Sequence, residues 1–179
     1  MSENKDVYGQ AKSQMRLSER IAAALPGFHG YKEKELRRES DKLIRNHLYG
    51  KLSKGQDNVR SISQRIADKR YLDALPDIDR LTAKMDRVAE KVNHASYGYS
   101  GFFDIVKIKE ENLDRMIAFD NQLLESVNAL TSEIDSVKAQ LMSGDYSNVK
   151  DKIQAMTDKL ELLEDTFDKR QEVITGVIQ

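Results

Sequence analysis

The sequence predicts an all-α fold, an elongated antiparallel bundle of three to four helices with coiled-coil-like seams. Three observations predict it. Apolar residues recur at intervals of three and four along most of the chain, the breaks between periodic stretches are short, and turn chemistry is scarce. Among 179 residues there are two prolines, nine glycines and no tryptophan, too little for the frequent reversals of a sandwich or barrel. Hydrophobic residues make up 39% and charged residues 33%. That is apolar enough to escape the disordered class and too polar for a thick globular core.

The first nine residues are polar. Met15, Leu17, Ile21 and Leu25 then predict a short amphipathic helix closed by Pro26 and Gly27, since proline and glycine do not continue a helix. A helix that short is marginal alone and must dock or stay mobile. Residues 1–28 therefore read as an arm, and 29–179 as a single antiparallel bundle.

From Tyr31 to about residue 70 the chain reads as helix, with Leu36, Leu43, Ile44, Leu48, Leu52, Val59, Ile62 and Ile66 on its apolar side. Gly50 and Gly55 interrupt it, each at about 1 kcal/mol relative to alanine. A bend or break is expected between Tyr49 and Gly55. A second helix opens near Pro76, whose fixed φ suits a first turn, and carries Ile78, Leu81, Met85, Val88, Val92 and Ala95.

The third helix shows Leu113, Met116, Leu123, Val127, Leu130, Ile134, Val137 and Leu141, with Asp120 as the polar exception. Gly144 stops it, and Asp145 or Ser147 can cap the next helix. The fourth shows Val149, Ile153, Met156, Leu160, Leu163, Phe167 and Ile174, with Arg170 where the seam begins to fail. Seams of this regularity also suit a parallel coiled-coil dimer. The short breaks at 71–76 and 143–146 favour folding back.

Twenty-nine basic residues face thirty acidic ones, so no net field draws nucleic acid or an anionic membrane to the whole surface. The absence of cysteine excludes disulfides, thiolate metal sites and cysteine nucleophiles. The start MSENKDVYGQ is polar, and no apolar run is long enough to span a bilayer, which makes a cytoplasmic location the expectation.

Two segments break the pattern. Between the second and third helices lie Tyr97, Tyr99, Phe102, Phe103 and Asp104, interspersed with Gly98 and Gly101. Such rings form either a plug over one end of the bundle or a pocket. Helix lengths place residues 97–108 beside Tyr31–His47, the part of the first long helix that its partner is too short to cover. The other segment, 26–42, is dense in charge. Glu33 with Arg37, Glu35 with Arg38, and Asp41 with Arg45 have helix-surface ion-pair spacing, which reads as a solvated face. An anion site at Arg37 and Arg38 is the sharper alternative.

The stretches PGFHGYKEKELRRESDKLIR and ASYGYSGFFDIVKIKEENLDRMIAFD resemble a family of uncharacterised prokaryotic helical proteins. In that family Gly-Tyr-Lys-Glu-Lys-Glu and Tyr-Gly-Tyr-x-Gly-Phe-Phe-Asp segments sit at similar spacing. The resemblance covers about residues 26–125 and implies that the two segments belong to one module. It implies no activity and no catalytic residue.

Recognisable chemistry is absent from the sequence. A ferritin-like di-iron site needs Glu-x-x-His on facing helices, but Pro26, Ile44 and Lys91 stand three residues before His29, His47 and His94. There is no phosphate-binding glycine loop, nucleophile elbow or calcium loop. Ser100 has no positioned base. The reading is a non-enzymatic structural or protein-interaction bundle, without cofactor, metal or nucleic acid, whose partner is another protein or a second copy. The candidate surface comprises Tyr31, Lys34, Arg37, Arg38, His47, Tyr97, Tyr99, Phe102, Phe103 and Asp104. One alternative is a small-ligand or enzymatic module built on residues 94–108. The other is a peripheral membrane protein using residues 11–25, where Arg16 and Arg20 flank Met15, Leu17 and Ile21.

Overall fold

The structure, a computed structural model, describes residues 17–30, 34–95 and 110–175, with the side chains of 34–37, 110, 111 and 175 outside that description. Every regular element among the described residues is a helix. Residues 17–24 form α1, Lys34–Asp68 α2, Leu75–His94 α3, Glu110–Met142 α4 and Val149–Thr175 α5, and a single 3-10 turn, Leu72–Ala74, leads into α3. The expectation of an all-α bundle holds. Two compact units result, one within residues 1–47, 95–124 and 166–179, the other within 48–94 and 125–165. We call them unit 1 and unit 2.

Unit 2 is where the periodic seams close on one another. Leu52, Val59, Ile62 and Ile66 of α2, Ile78, Leu81, Met85, Val88 and Val92 of α3, Val127, Leu130, Ile134, Val137 and Leu141 of α4, and Val149, Ile153, Met156, Leu160 and Leu163 of α5 are all fully buried. Each helix has one apolar stripe, so the four stripes leave water only by meeting in a shared interior.

Polar contacts around the outside fix which helix lies beside which. Gln56 donates to Asp86 at 2.8 Å across the α2–α3 hairpin. Lys159 reaches Glu133 at 2.8 Å, and Lys152 bonds Gln140, across the α4–α5 hairpin. As α5 advances its α4 partner recedes, so the two are antiparallel. Between α3 and α5 the order is reversed. Asp77 meets Lys150, Lys84 meets Glu161, and Arg87 and Lys91 both meet Glu164, so these helices run in parallel. Asn58 of α2 lies between Asp135 and Lys138 of α4, at 2.7 Å from each. The ring of neighbours is therefore α2, α3, α5, α4. Consecutive helices oppose one another, and two parallel pairs close the circle.

Charge supports that pairing. Residues 48–94 contain ten basic and seven acidic side chains, whereas 125–165 contain four basic and nine acidic. The two hairpins thus attract before contact. Each individual surface pair contributes only about 0–1 kcal/mol, so the net effect is on selection of partner more than on stability.

The two hairpin turns share one device. Tyr71 N–H bonds the Ile66 carbonyl and Arg70 N–H that of Ala67. Asp145 N–H likewise bonds Gln140, and Gly144 N–H bonds Leu141. Both are Schellman caps, which need a left-handed residue after the last helical one. Gly144 supplies it at φ +85° and Arg70, a non-glycine, at φ 55°.

The break expected between Tyr49 and Gly55 does not occur, because α2 is continuous from Lys34 to Asp68. Gly55 is instead a packing residue. A Cβ there would run into Met85 Cε and lie 3.3 Å from Ile134 Cδ1, so its lack of a side chain lets α3 and α4 close on α2. Gly50 has open space around it.

Unit 1 holds α1 and the described residues of 110–124 and 166–175, with 34–47. Ile21, Leu25 and Phe28 are buried there, as are Ile44, Met116, Leu123, Phe167, Val173 and Ile174. The short first helix therefore docks, one of the two outcomes its length allows. Ser40 Oγ donates to the Gly30 carbonyl at 2.9 Å, and Gly30 itself adopts φ +83°, tying the connection after α1 to α2.

The two glycines make different predictions in thermal or urea unfolding. Gly50→Ala should raise stability by about 1 kcal/mol, the helix-propensity gain at an unobstructed site. Gly55→Ala should fall short of that gain, since the Met85 Cε and Ile134 Cδ1 ends of two side chains must give way to the added Cβ. Equal stabilisation by both substitutions would show that Gly55 has no packing role.

Candidate functional site

The most unusual chemistry among the described residues lies inside unit 1. Arg170 of α5 and Asp120 of α4 are both 0% exposed, and Asp41 of α2 is 2% exposed. Arg170 Nε donates to Asp120 Oδ1 at 2.5 Å, and its Nη1 to Asp41 Oδ1 at 2.8 Å. The second Asp41 oxygen accepts from Arg45 Nε at 2.8 Å. Four charges from three helices thus form a chain, Arg45–Asp41–Arg170–Asp120, with two of each sign. Only a planar guanidinium reaches two carboxylates on different helices in this way, and a lysine has no such fork. An unpaired ion here would be strongly disfavoured, so the arrangement requires all of its members together.

Two members sit where the sequence places apolar seam. Asp120 falls between Met116 and Leu123, and Arg170 between Phe167 and Ile174. Asp41 precedes Ile44. Two sequence expectations are corrected by this. Arg170 does not mark the failure of the α5 seam, which continues through the buried Val173 and Ile174. The charge is absorbed by its partners instead. Asp41 and Arg45 do pair, but their side chains are only 3% and 8% exposed, so this is not the solvated face that i,i+4 spacing alone implied.

A second feature lies at the turn end of unit 2. The Tyr71 and Tyr146 rings, one from each turn, are 6.4 Å apart, and Asp77 and Lys150 meet at 3.8 Å just behind them. The two turns also expose large apolar side chains, Leu72 at 62%, Met142 at 59% and Tyr71 at 36%. Tyr146 Oη is buried there with no hydrogen-bond partner among the described residues, an arrangement that native structures rarely tolerate. Beside it, Asp145 Oδ1 accepts from the Ser147 backbone N–H at 2.8 Å. Hydrogen bonding to Ser147 holds the Asp145 carboxyl below its ordinary value, with smaller help from Gln140 and Lys152. Asp145 thus closes an Asx turn within the connection and does not cap α5 as the sequence suggested, because α5 begins only at Val149, after Asn148 at φ 54°.

Of the sequence-predicted surface, Arg38 is exposed and His47 half-buried, both on α2. Lys34 and Arg37 belong to the same helix, with side chains outside the described residues. Tyr31, Tyr97, Tyr99, Phe102, Phe103 and Asp104 lie outside them as well, and with them the expected course of residues 97–108 beside Tyr31–His47. What the prediction passed over is the buried chain of charges. Its signal was present, as opposite charges interrupting the seams of two consecutive helices.

Among the described residues, no group of three or more His, Asp or Glu side chains could hold a metal ion. No helix among them is long and apolar enough to cross a membrane. No family model, curated protein or solved structure matches this chain.

Two substitutions at the turn end have definite outcomes. Tyr146→Phe removes a desolvated hydroxyl without removing the ring, and should leave stability unchanged or raise it by about 1 kcal/mol. A clear loss in urea unfolding would mean that the hydroxyl is bonded in solution. For Asp145 the folded pKa is depressed, so its contribution is present above the ordinary value of 3.8 and fades as pH falls through the lower folded value. Wild type should melt above Asp145→Asn at neutral pH, and the two curves should converge below the folded pKa of Asp145. A gap that persists at the acid end would exclude ionised Asp145 as its source.

Proposed function

We propose that this chain is a non-enzymatic structural or protein-interaction bundle, acting in the cytoplasm through a protein partner or a second copy of itself. The observation that carries the reading is the turn end of unit 2. Leu72, Met142 and Tyr71 remain in water there, although every seam position of the same unit is covered. Single exposed apolar residues are ordinary on a protein surface. Three of them on two adjoining turns form a small apolar end of the kind that protein contacts use.

The membrane-surface alternative has less behind it. The apolar face of the first helix is already spent, with Ile21 and Leu25 buried within unit 1, so lipid would have to compete with the interior for it.

The test is the double variant Leu72→Asp/Met142→Lys, which alters exposed positions and should leave thermal stability within about 0.5 kcal/mol of wild type. Sedimentation velocity across a wide concentration range should show that wild type self-associates, or binds a partner recovered by pull-down, and that the variant does neither. A wild-type chain that stays monomeric, with a capture profile the double variant leaves unchanged, would sink this reading.

A further inference from the structure

We infer that unit 1 is a separately opening part of the molecule: it loosens and recloses as one body, freeing α1, while the interior of unit 2 stays shut. Three observations lead there. First, the two interiors differ in kind. Among the described residues, unit 2 buries no charged side chain, and its one buried polar residue, Thr157, bonds the Ile153 carbonyl of its own helix. Unit 1 buries Asp41, Arg45, Asp120 and Arg170.

Secondly, opening treats these interiors differently. An apolar side chain loses its whole burial gain when water enters. A buried ion regains hydration at that moment, which offsets most of the contacts it gives up. The four ions therefore hold unit 1 closed far less than apolar side chains of their size would, whatever further bonds they make inside it. Thirdly, the chain permits unit 1 to open alone. The ends of α2, α4 and α5 at Lys34, Glu110 and Thr175 all fall in unit 1, as does α1, whereas both hairpin turns fall in unit 2. Helices unravel from their ends, where hydrogen bonds are fewest. Apart from the turns, unit 2 has one such end, at His94 of α3.

In the open form the apolar faces around Ile44, Met116 and Phe167 meet water, and α1 takes Ile21 and Leu25 out of the interior. All five are buried in the closed form. Opening thus presents apolar surface for part of the time only, independently of the turn end of unit 2.

Native-state hydrogen exchange tests this, in the regime where each opening recloses before it exchanges. Amides of 38–47, 114–124 and 166–173 in unit 1 should exchange at least about tenfold faster than those of 52–66, 78–92 and 127–141 in unit 2. Their urea dependence should be weaker, because less surface is uncovered. Paired substitutions then separate the two openings. Ile21→Val in unit 1 should speed both sets by one factor, about two- to tenfold, because full unfolding includes the opening of unit 1. Ile78→Val in unit 2 should speed the unit 2 set alone. Ile78→Ala repeats the test with a larger loss.

Two results would overturn the inference. If the Ile78 variants speed both sets equally, the molecule opens as one body. If the pattern inverts, with Ile21→Val felt in unit 1 alone and Ile78→Val in both, unit 2 opens first.

Discussion

Every long helix of this protein carries a single apolar stripe, and no stripe can be covered by the helix that bears it. That constraint organises the molecule. In unit 2 it produces a ring of four helices whose seam residues are all buried, and the order around the ring follows from outward-facing charge. The basic excess of 48–94 meets the acidic excess of 125–165 through Lys84, Arg87 and Lys91 on Glu161 and Glu164. Apolar burial supplies the driving force and has no direction. The charges supply direction and little force.

The same division holds in unit 1, with the charges on the inside. There Arg170 has no water to fall back on, and its two carboxylates come from helices distant in sequence. Exposed pairs such as Lys159–Glu133 tolerate a shifted neighbour, because solvent replaces a lost partner. A pair closed off from solvent does not.

Small residues show how local rules yield to packing. Propensity alone counts Gly50 and Gly55 as equal weaknesses in α2, yet the helix runs through both. Covered seams on either side offset a propensity deficit of about 1 kcal/mol at each. Gly55 is further compensated by the close approach it allows to Met85 and Ile134. The converse holds at Arg70, where the cap geometry at the end of α2 is met by a residue that nothing local favours for a left-handed φ. The cap was legible at Gly144 and hidden at Arg70 for that reason.

The all-α class, the seam positions and the hairpin turns were legible in the sequence. Each follows from a spacing of three and four or from a proline or glycine, signals contained within one helix or one turn. The charge-centred site was only half legible. Asp120 and Arg170 stood out as interruptions of their own seams, but their connection to each other and to Asp41 spans 50 and 129 residues of chain. Asp41 and Arg45 looked like any surface pair, because i,i+4 spacing is the same in water as in an interior. Which face of α2 is covered at that level depends on α4 and α5. Only the tertiary structure decides that, since burial belongs to the assembled helices together.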